Sequence, residues 1–422
     1  MLQEDATNVR VFRDDDDGYL AWIADHSDGH VINIARSLWP GDARVHRADC
    51  RTISGQIPRG ALWTGPYVKV CAEHPAELEQ WANNRLGEQV RLCGSCHPAR
   101  SDTGSASRNR AERATDTSVP AGRALVHVGN GVVEAWADDY IRYEVKHRPP
   151  WQEQLRTEIR MHCERLKPSA GQVLHAVFFG DKRANADVEN VLLYCFGSFA
   201  TAGSNGIRFE HGAGVPLTAG GDAYPFCYRY ALAPRSGTFA DWRQGRTLAS
   251  FDWTDLGAFT GEKIAAQVWL ALSRGQAEVA EQVRAPDTPF AVRVEVRPPR
   301  EHQKVLGNLV KGVFDGVISA FQAHTDTTVL PEVGERIAKV VGAIPTEIDQ
   351  HLLDRHRAVL GDVSRLVSPY GKGVQWNPAD HWCVAGELLR AEPIDSHWAI
   401  KGEIVELHRW SPTPQPPPTT RA

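Results

Sequence analysis

The residues best suited to chemistry crowd near the N-terminus. Four of the eight cysteines, Cys50, Cys71, Cys93 and Cys96, fall within the first hundred residues, and His46 stands shortly before Cys50. A Cys-x2-Cys turn presents two sulfurs to the same side, and a His-x3-Cys pair on a helical turn presents two further donors from one face. Together they make a four-coordinate site of the kind zinc takes, with His46 and Cys71 as alternatives for the fourth position. Cys163, Cys195, Cys227 and Cys383 are widely spaced among apolar neighbours and are expected as small buried side chains. The N-terminus (MLQEDATNVRVFRDDDDGY) is acidic and lacks the basic, then apolar, then small-residue order of an export signal. Metal ligation is therefore expected of the cysteine cluster rather than disulfides.

Across residues 44–98 the segments VHRADCRTI and AELEQWANNRLGEQVRLCGSCHP follow one another in an order that resembles the N-terminal zinc module of Ada-type alkylation-response proteins. The resemblance implies a structural Zn²⁺. His46 stands where that family has cysteine, the interval is longer, and Cys71 is additional. In the family, methyl transfer depends on an electron-rich four-thiolate site, so a ligand set with an imidazole does not carry that activity over. Upstream, GYLAWIADHSDGHVINIARS reads as a β-hairpin around a polar turn, and Asp14–Asp17 as a solvated acidic face.

The segment 101–119 has one aliphatic residue besides alanine, Val119, and reads as a linker; the tail from Ser411 is Pro-rich. Between them two stretches echo one another: QVLHAVFFGDKRANADVENVLLYCFGSF and FAVRVEVRPPREHQKVLGNLVKGVFDGVISAF. Each is a β-rich run, a basic loop, an Asn and an amphipathic helix, as expected of a duplicated α+β subdomain or an intrachain pseudo-dimer.

These stretches resemble Holliday-junction resolvases of the RusA type, whose motif is a strand, a basic loop, D-x-D-N-x-x-K-x-x-x-D and a later strand-associated acid. The resemblance implies a Mg²⁺ site of clustered carboxylates with a lysine beside the phosphate. In the second stretch Asn308, Lys311 and Asp315 match the end of the motif and Asp380 the later acid, but Val305 and Gly307 replace the leading acids. In the first, Asp187, Glu189 and Asn190 match the beginning and Glu210 falls near the later acid, but Leu193 replaces the lysine. Asp187, Glu189 and Glu210 are thus the candidate carboxylates of one half, and Lys311, Asp315 and Asp380 the candidates of the other. A bland alternative has Asp187 as a helix cap, Glu189 as a first-turn acid, and Lys311 with Asp315 as a surface pair. Neither half is complete, and a composite site requires the halves to face each other.

Lys182, Arg183, Arg293, Arg297, Arg300 and Lys304 flank these segments and are the expected contacts to a nucleic-acid backbone, with Arg293 and Arg297 on one strand face. A net charge of −5 excludes a uniformly basic coat protein. No P-loop, dinucleotide fingerprint, H-E-x-x-H or G-x-S-x-G occurs, which removes support for ATP-driven, dinucleotide and serine-hydrolase chemistry. No apolar run reaches the ~18 residues of a membrane span. Arginine-rich, methionine-poor coding points to a bacterial, cytoplasmic protein.

The expected fold is α+β: a small zinc-binding module (1–100), a linker (101–120), a duplicated α+β domain with halves at 121–290 and 291–410 and a helical insertion at 331–368, and a Pro-rich tail (411–422). The expected function is that of a nucleic-acid-acting protein. It is either a Mg²⁺-dependent structure-selective endonuclease or a non-catalytic zinc-containing DNA- or RNA-binding factor on a decayed resolvase-like scaffold. A protein-interaction scaffold is the third reading.

Overall fold

A computed structural model describes residues 9–35, 43–50, 53, 63–64, 67–86, 90–93, 96, 122–141, 148–180, 187–194, 199–259, 263–300, 306–393 and 396–410. The chain divides into two units, Met1–Thr117 and Ser118–Ala422. The expected linker and tail lie outside the described residues, as do Lys182, Arg183 and Lys304.

The first unit opens with strand β1 (Arg10–Phe12) and helix α1 (Asp16–Asp25), where the sequence reads as a hairpin strand. The acidic run decides this. Asp15 accepts a hydrogen bond from the Gly18 N–H (2.9 Å) as N-cap, Asp16 and Asp17 sit at the positive end of the helix dipole, and Tyr19 and Trp22 fall one turn apart on the buried side. Asp14, Asp15 and Asp17 are exposed, whereas Asp16 is half-buried and its carboxylate accepts from the backbone N–H groups of Trp63 and Thr64 (2.8 and 2.7 Å). Strands β2 (His30–Ala35), β3 (Arg44–Arg47) and β4 (Tyr67–Ala72), helix α2 (Pro75–Leu86) and strand β5 (Arg91–Leu92) complete a five-stranded sheet of order β1-β4-β2-β3-β5. Its faces carry separate cores. Val31 and Cys71 lie with Tyr19 and Trp22 on the α1 side, while Ile32, Val45, Val68, Val70 and Leu78 form the other side with α2.

The second unit is built on one ten-stranded sheet. In chain order its elements are β6 (Ala124–Gly129), β7 (Val132–Ala137), α3 (Pro150–Cys163), β8 (Gln172–Phe179), a π-helical turn (Asn190–Tyr194), β9 (Gly206–His211), β10 (Phe226–Pro234), β11 (Trp242–Gly257), α4 (Ile264–Arg274), β12 (Glu278–Val279), β13 (Phe290–Arg297), α5 (Val310–Ala320), β14 (Ala323–His324), α6 (Leu330–Val341), α7 (Pro345–Leu352), β15 (Asp362–Val363), β16 (Val367–Tyr370), β17 (Gly373–Trp376), β18 (Cys383–Arg390) and β19 (Trp398–Arg409). Strand order is β6-β7-β10-β8-β9-β18-β13-β19-β11-β12, with β14–β15 and β16–β17 pairing outside it. The fold is therefore α+β.

Connectivity is alike on either side of the antiparallel β9–β18 pair. Each arm has a parallel pair, β8 with β9 or β13 with β18, whose connection contains a helical segment. In each, a following strand (β10 or β19) runs antiparallel to the first of the pair and then to an outer strand, β7 or β11, that is followed by a helix. The arms divide between β10 and β11 rather than at residue 290: β11 pairs along the length of β19, which places β11 and α4 with β13. The helices α6 and α7 and the short strand β15 lie between α5 and β16.

Strand alternation assigns the faces. Val292, Val294 and Val296 of β13 enter the main core with Val313, Phe314 and Val317 of α5. Arg293, Glu295 and Arg297 therefore point to the opposite side of the sheet.

Candidate functional site

Two clusters of metal-type ligands occur among the described residues. In the first unit His46, Cys50, Cys93 and Cys96 offer ligand atoms all within 4.8 Å of one another. The sheet explains the set. His46 lies on strand β3, not on a helical turn, and alternation from Val45 turns it to the α1 side. The parallel β3–β5 register continues to Cys93, whose N–H donates to Val45 O (2.8 Å), so Cys93 lies beside His46. A turn closed by Cys50 N–H to Arg47 O (3.0 Å) brings Cys50 back, and the Arg47 N–H donates to Cys96 Sγ (3.4 Å). Cys71 is excluded by register. Val31 of β2 is the partner of both His46 and Cys71, so the two are separated by two strand spacings, roughly 10 Å. Burial, with the charges of Lys69 and Arg44, lowers the His46 pKa to about 4 and keeps the imidazole in its neutral, ligating form. The donor set of three sulfurs and one nitrogen could hold a metal ion.

The second cluster draws on residues far apart in sequence. Asp187, Glu189 and Asp380 place carboxylate oxygens within 4.8 Å of one another. The topology requires the meeting of Asp187 and Asp380. β8 ends where β9 ends, because Phe178 pairs His211, and the antiparallel β9–β18 pair puts the start of β18 at that same end through Glu210 and Ala385. Asp187 follows β8 and Asp380 immediately precedes β18. Asp187 does not serve as a simple helix cap: its Oδ2 accepts from Asn190 Nδ2 (2.9 Å), which aims the carboxylate. Val188 between the acids is anchored in the core. Asp380 is held from behind by Gln322, 3% exposed, whose amide accepts from Ala379 N–H (3.1 Å) and donates to Ala379 O (3.2 Å).

Helix α5 adds the remaining charges. Lys311 Nζ lies 3.2 Å from Asp315 Oδ1 and 3.7 Å from Glu189 Oε1. Lys311, 44% exposed, thus keeps the expected i,i+4 pair and adds a contact to Glu189 of the other arm. Gly312 and Gly316 let this helix approach α4: a Cβ at Gly312 would lie 2.9 Å from Ile264 Cβ, and one at Gly316 2.7 Å from Ala265 O. Four acids, Asp187, Glu189, Asp315 and Asp380, surround one lysine. Burial and the Asp187 charge raise Glu189 to about 8; burial raises Asp315 to about 6 against the pull of Lys311; burial and the neighbouring acids raise Asp380 well above the carboxylate range. Burial alone would lower Lys311, but Asp315, Glu189, Asp380 and Asp187 outweigh it and raise its pKa. The cluster gathers four carboxyl groups around one lysine, and the raised pKa values reflect a repulsion between hard oxygen donors that a divalent cation such as Mg²⁺ would relieve.

Two expectations fail here. Glu210 is not the third carboxylate. Phe209 meets Phe314 of α5 (ring centroids 5.3 Å), so Glu210 faces the other side of the sheet, pairing with His175 Nε2 (2.7 Å) and accepting from the Ala240 and Asp241 N–H groups (2.8 and 3.0 Å). Its burial would raise its pKa, but these partners outweigh that and lower it. Nor are Arg293 and Arg297 available to phosphate at the cluster. Arg293 is committed to Glu387 and Glu403 (2.8 and 3.0 Å), and Arg297 lies 3.7 Å over the Trp253 ring, both on the face turned away from α5. Arg300 is exposed beyond the end of β13, and Asn308 is exposed as well. Sequence reasoning missed Gln322 and Asn190 as positioning residues; Asn190 was visible in the motif, whereas nothing in the sequence marks Gln322.

Among the described residues no helix is long and apolar enough to cross a membrane. Comparison of the chain with protein-family models, curated proteins and solved structures gave no match.

Proposed function

We propose that the second unit is a Mg²⁺-dependent, structure-selective endonuclease with a single composite site, and that the first unit carries a structural Zn²⁺ on His46, Cys50, Cys93 and Cys96. The observation that carries the nuclease reading is the meeting of Asp187 and Glu189 from one arm with Lys311, Asp315 and Asp380 from the other. The two incomplete motif halves add up to one resolvase-like constellation. The like connectivity about β9–β18 supports descent of the arms from one duplicated unit, of which the first kept the leading acids and the second the lysine and the later acid.

Asp187, Glu189 and Asp380 would hold the metal, which would supply a Lewis acid at the scissile phosphate. Asp315 fixes the Lys311 ammonium, which faces the charge that builds on the phosphate oxygens during in-line displacement. Asn190 and Gln322 aim two of the ligands from outside the site, and so reduce the reorganisation needed when metal and phosphate arrive. For the first unit, the soft donor set and the Arg47 N–H donated to Cys96 Sγ support zinc over a hard cation.

The test is cleavage of a synthetic four-way DNA junction by the full chain with Mg²⁺. Wild type should cut, and Asp380→Asn and Glu189→Gln should each lower the rate on the order of 100- to 1,000-fold while retaining DNA binding. Absence of Mg²⁺-dependent cutting by wild type on branched, duplex and single-stranded DNA would leave a binding factor and defeat the catalytic reading.

A further inference from the structure

We propose that the pocket where α6, the β16–β17 turn and the start of α4 meet is the grip on the nucleic-acid backbone: Lys263, Lys339 and Lys372 line it and take phosphates leading to the composite site. This rests on the endonuclease reading and places its substrate on a surface other than the basic loops expected from the sequence.

The pocket, about 420 Å³, is formed where α6, the β16–β17 turn and the start of α4 come together, and is lined by Lys263, Glu335, Arg336, Lys339, Val340 and Lys372. Four of those six side chains are cationic and one is acidic, in a chain whose net charge is −5. Lys263, Lys339 and Lys372 form no ion pair with a described residue, and Lys339 and Lys372 are exposed. Arg336 acts as a brace instead. Its Nη1 donates to Gly371 O and Gly373 O (2.9 and 2.7 Å) and so ties the hairpin to α6. That tie holds Lys372 at the tip of the two-residue turn, where Gly371 adopts φ +51, and leaves Tyr370 beside it 70% exposed. An exposed ring next to unpaired cations suits stacking of an unpaired base over a bound backbone.

Position links the pocket to the acids. Lys263 immediately precedes Ile264, and Ile264 packs against Gly312, the residue after Lys311. Gly316 meets Ala265 and Val268, so α4 and α5 run side by side in the same direction. Their positive N-terminal ends, Lys263 and Lys311, therefore lie together. By contrast, the arginines of β13 are neutralised by Glu387 and Glu403 or stacked on Trp253 on the opposite face. A polyanion drawn to the protein would find unpaired charge at this pocket, one of whose lysines, Lys263, begins the helix that packs beside the helix carrying Lys311.

The experiment measures binding of a synthetic four-way DNA junction to the full chain without Mg²⁺, between about 50 and 200 mM salt. The triple variant Lys263→Ala, Lys339→Ala, Lys372→Ala should bind at least about tenfold more weakly, with the salt slope reduced by about 2 to 3. Lys372→Ala, confined to a turn tip, should lower the slope by about 1, and Lys372→Arg should retain it. Wild-type affinity and slope in both alanine variants would overturn the proposal while leaving the nuclease reading intact. Weakened binding by the variants of a wild type that never cuts would uphold the surface and defeat the nuclease reading. A wild type without salt-dependent DNA binding would defeat both.

Discussion

The two metal-type clusters are built in opposite ways. The cysteine and histidine site of the first unit gathers its donors from two adjacent strands and the turns that follow them, within residues 46–96. The carboxylate site of the second unit gathers its donors from positions 187 to 380 and exists only because β9 pairs with β18. A local site of soft ligands can tie a small fold together once it holds a metal. A long-range site of hard ligands can form only after the sheet is complete, and its residual repulsion is carried by a large core. On the proposed reading, the first site is a condition of folding and the second a consequence of it.

Metal removal should separate them most strongly. Chelation, or His46→Ala, should abolish cooperative unfolding of the first unit and release about one zinc per chain, because structural zinc supplies roughly 10 kcal/mol or more of folding free energy in small modules. The readouts are metal analysis and a thermal melt followed by Trp22 and Trp63 fluorescence. Retention of the melt in metal-free protein would contradict a structural role.

A smaller effect is expected from pH in the second unit. Burial and Asp187 raise Glu189 from its ordinary 4.5 to about 8 in the folded state. The folded form then binds this proton more tightly than the unfolded form does, so the contribution to stability is full below about 4.5 and is lost as pH rises through about 8. Mg²⁺-free protein should therefore lose Tm between about pH 5 and pH 8, on the order of 2–4 °C for each kcal/mol. Mg²⁺ should restore the loss, and Glu189→Gln should reduce the pH dependence, the remainder coming from the raised Asp315 and Asp380. A melt of wild type that is flat across this range, with and without Mg²⁺, would show that the acids are not in conflict.

The smallest effect belongs to Cys71. Cys71→Ala should keep the zinc stoichiometry and cost about 1 kcal/mol, the order expected for a small buried truncation. Loss of zinc in this variant would return Cys71 to the ligand set.

How much was legible follows the same division. The Cys-x2-Cys spacing and His46 with Cys50 reveal the first site because its ligands are close in sequence, yet the choice between His46 and Cys71 depended on the β2–β3 and β2–β4 registers. The acids and lysine of the second site are each visible in half a motif. Their union was not, since it depends on which strand ends share an edge of the sheet. Two misreadings had signals available. Phe209 belongs to the core, so alternation sends Glu210 to the other face; and Asp15 with Gly18, followed by Tyr19 and Trp22 one turn apart, marks a capped helix where the polar turn suggested a hairpin strand. The basic pocket was hidden for another reason: Lys263, Lys339 and Lys372 are isolated in sequence and meet only where α6, the β16–β17 turn and the start of α4 come together.

The most direct test of the composite site is a Mn²⁺ titration followed by electron paramagnetic resonance, with Mn²⁺ standing in for Mg²⁺, on wild type, Glu189→Gln and Asp380→Asn. Wild type should bind Mn²⁺ and Mg²⁺ should compete it off. Each single substitution, one in each arm, should weaken binding at least about tenfold, as expected when a hard cation loses one of few carboxylate ligands. If either variant, shown by its melt to be folded, binds Mn²⁺ as wild type does, the two arms do not share one metal site.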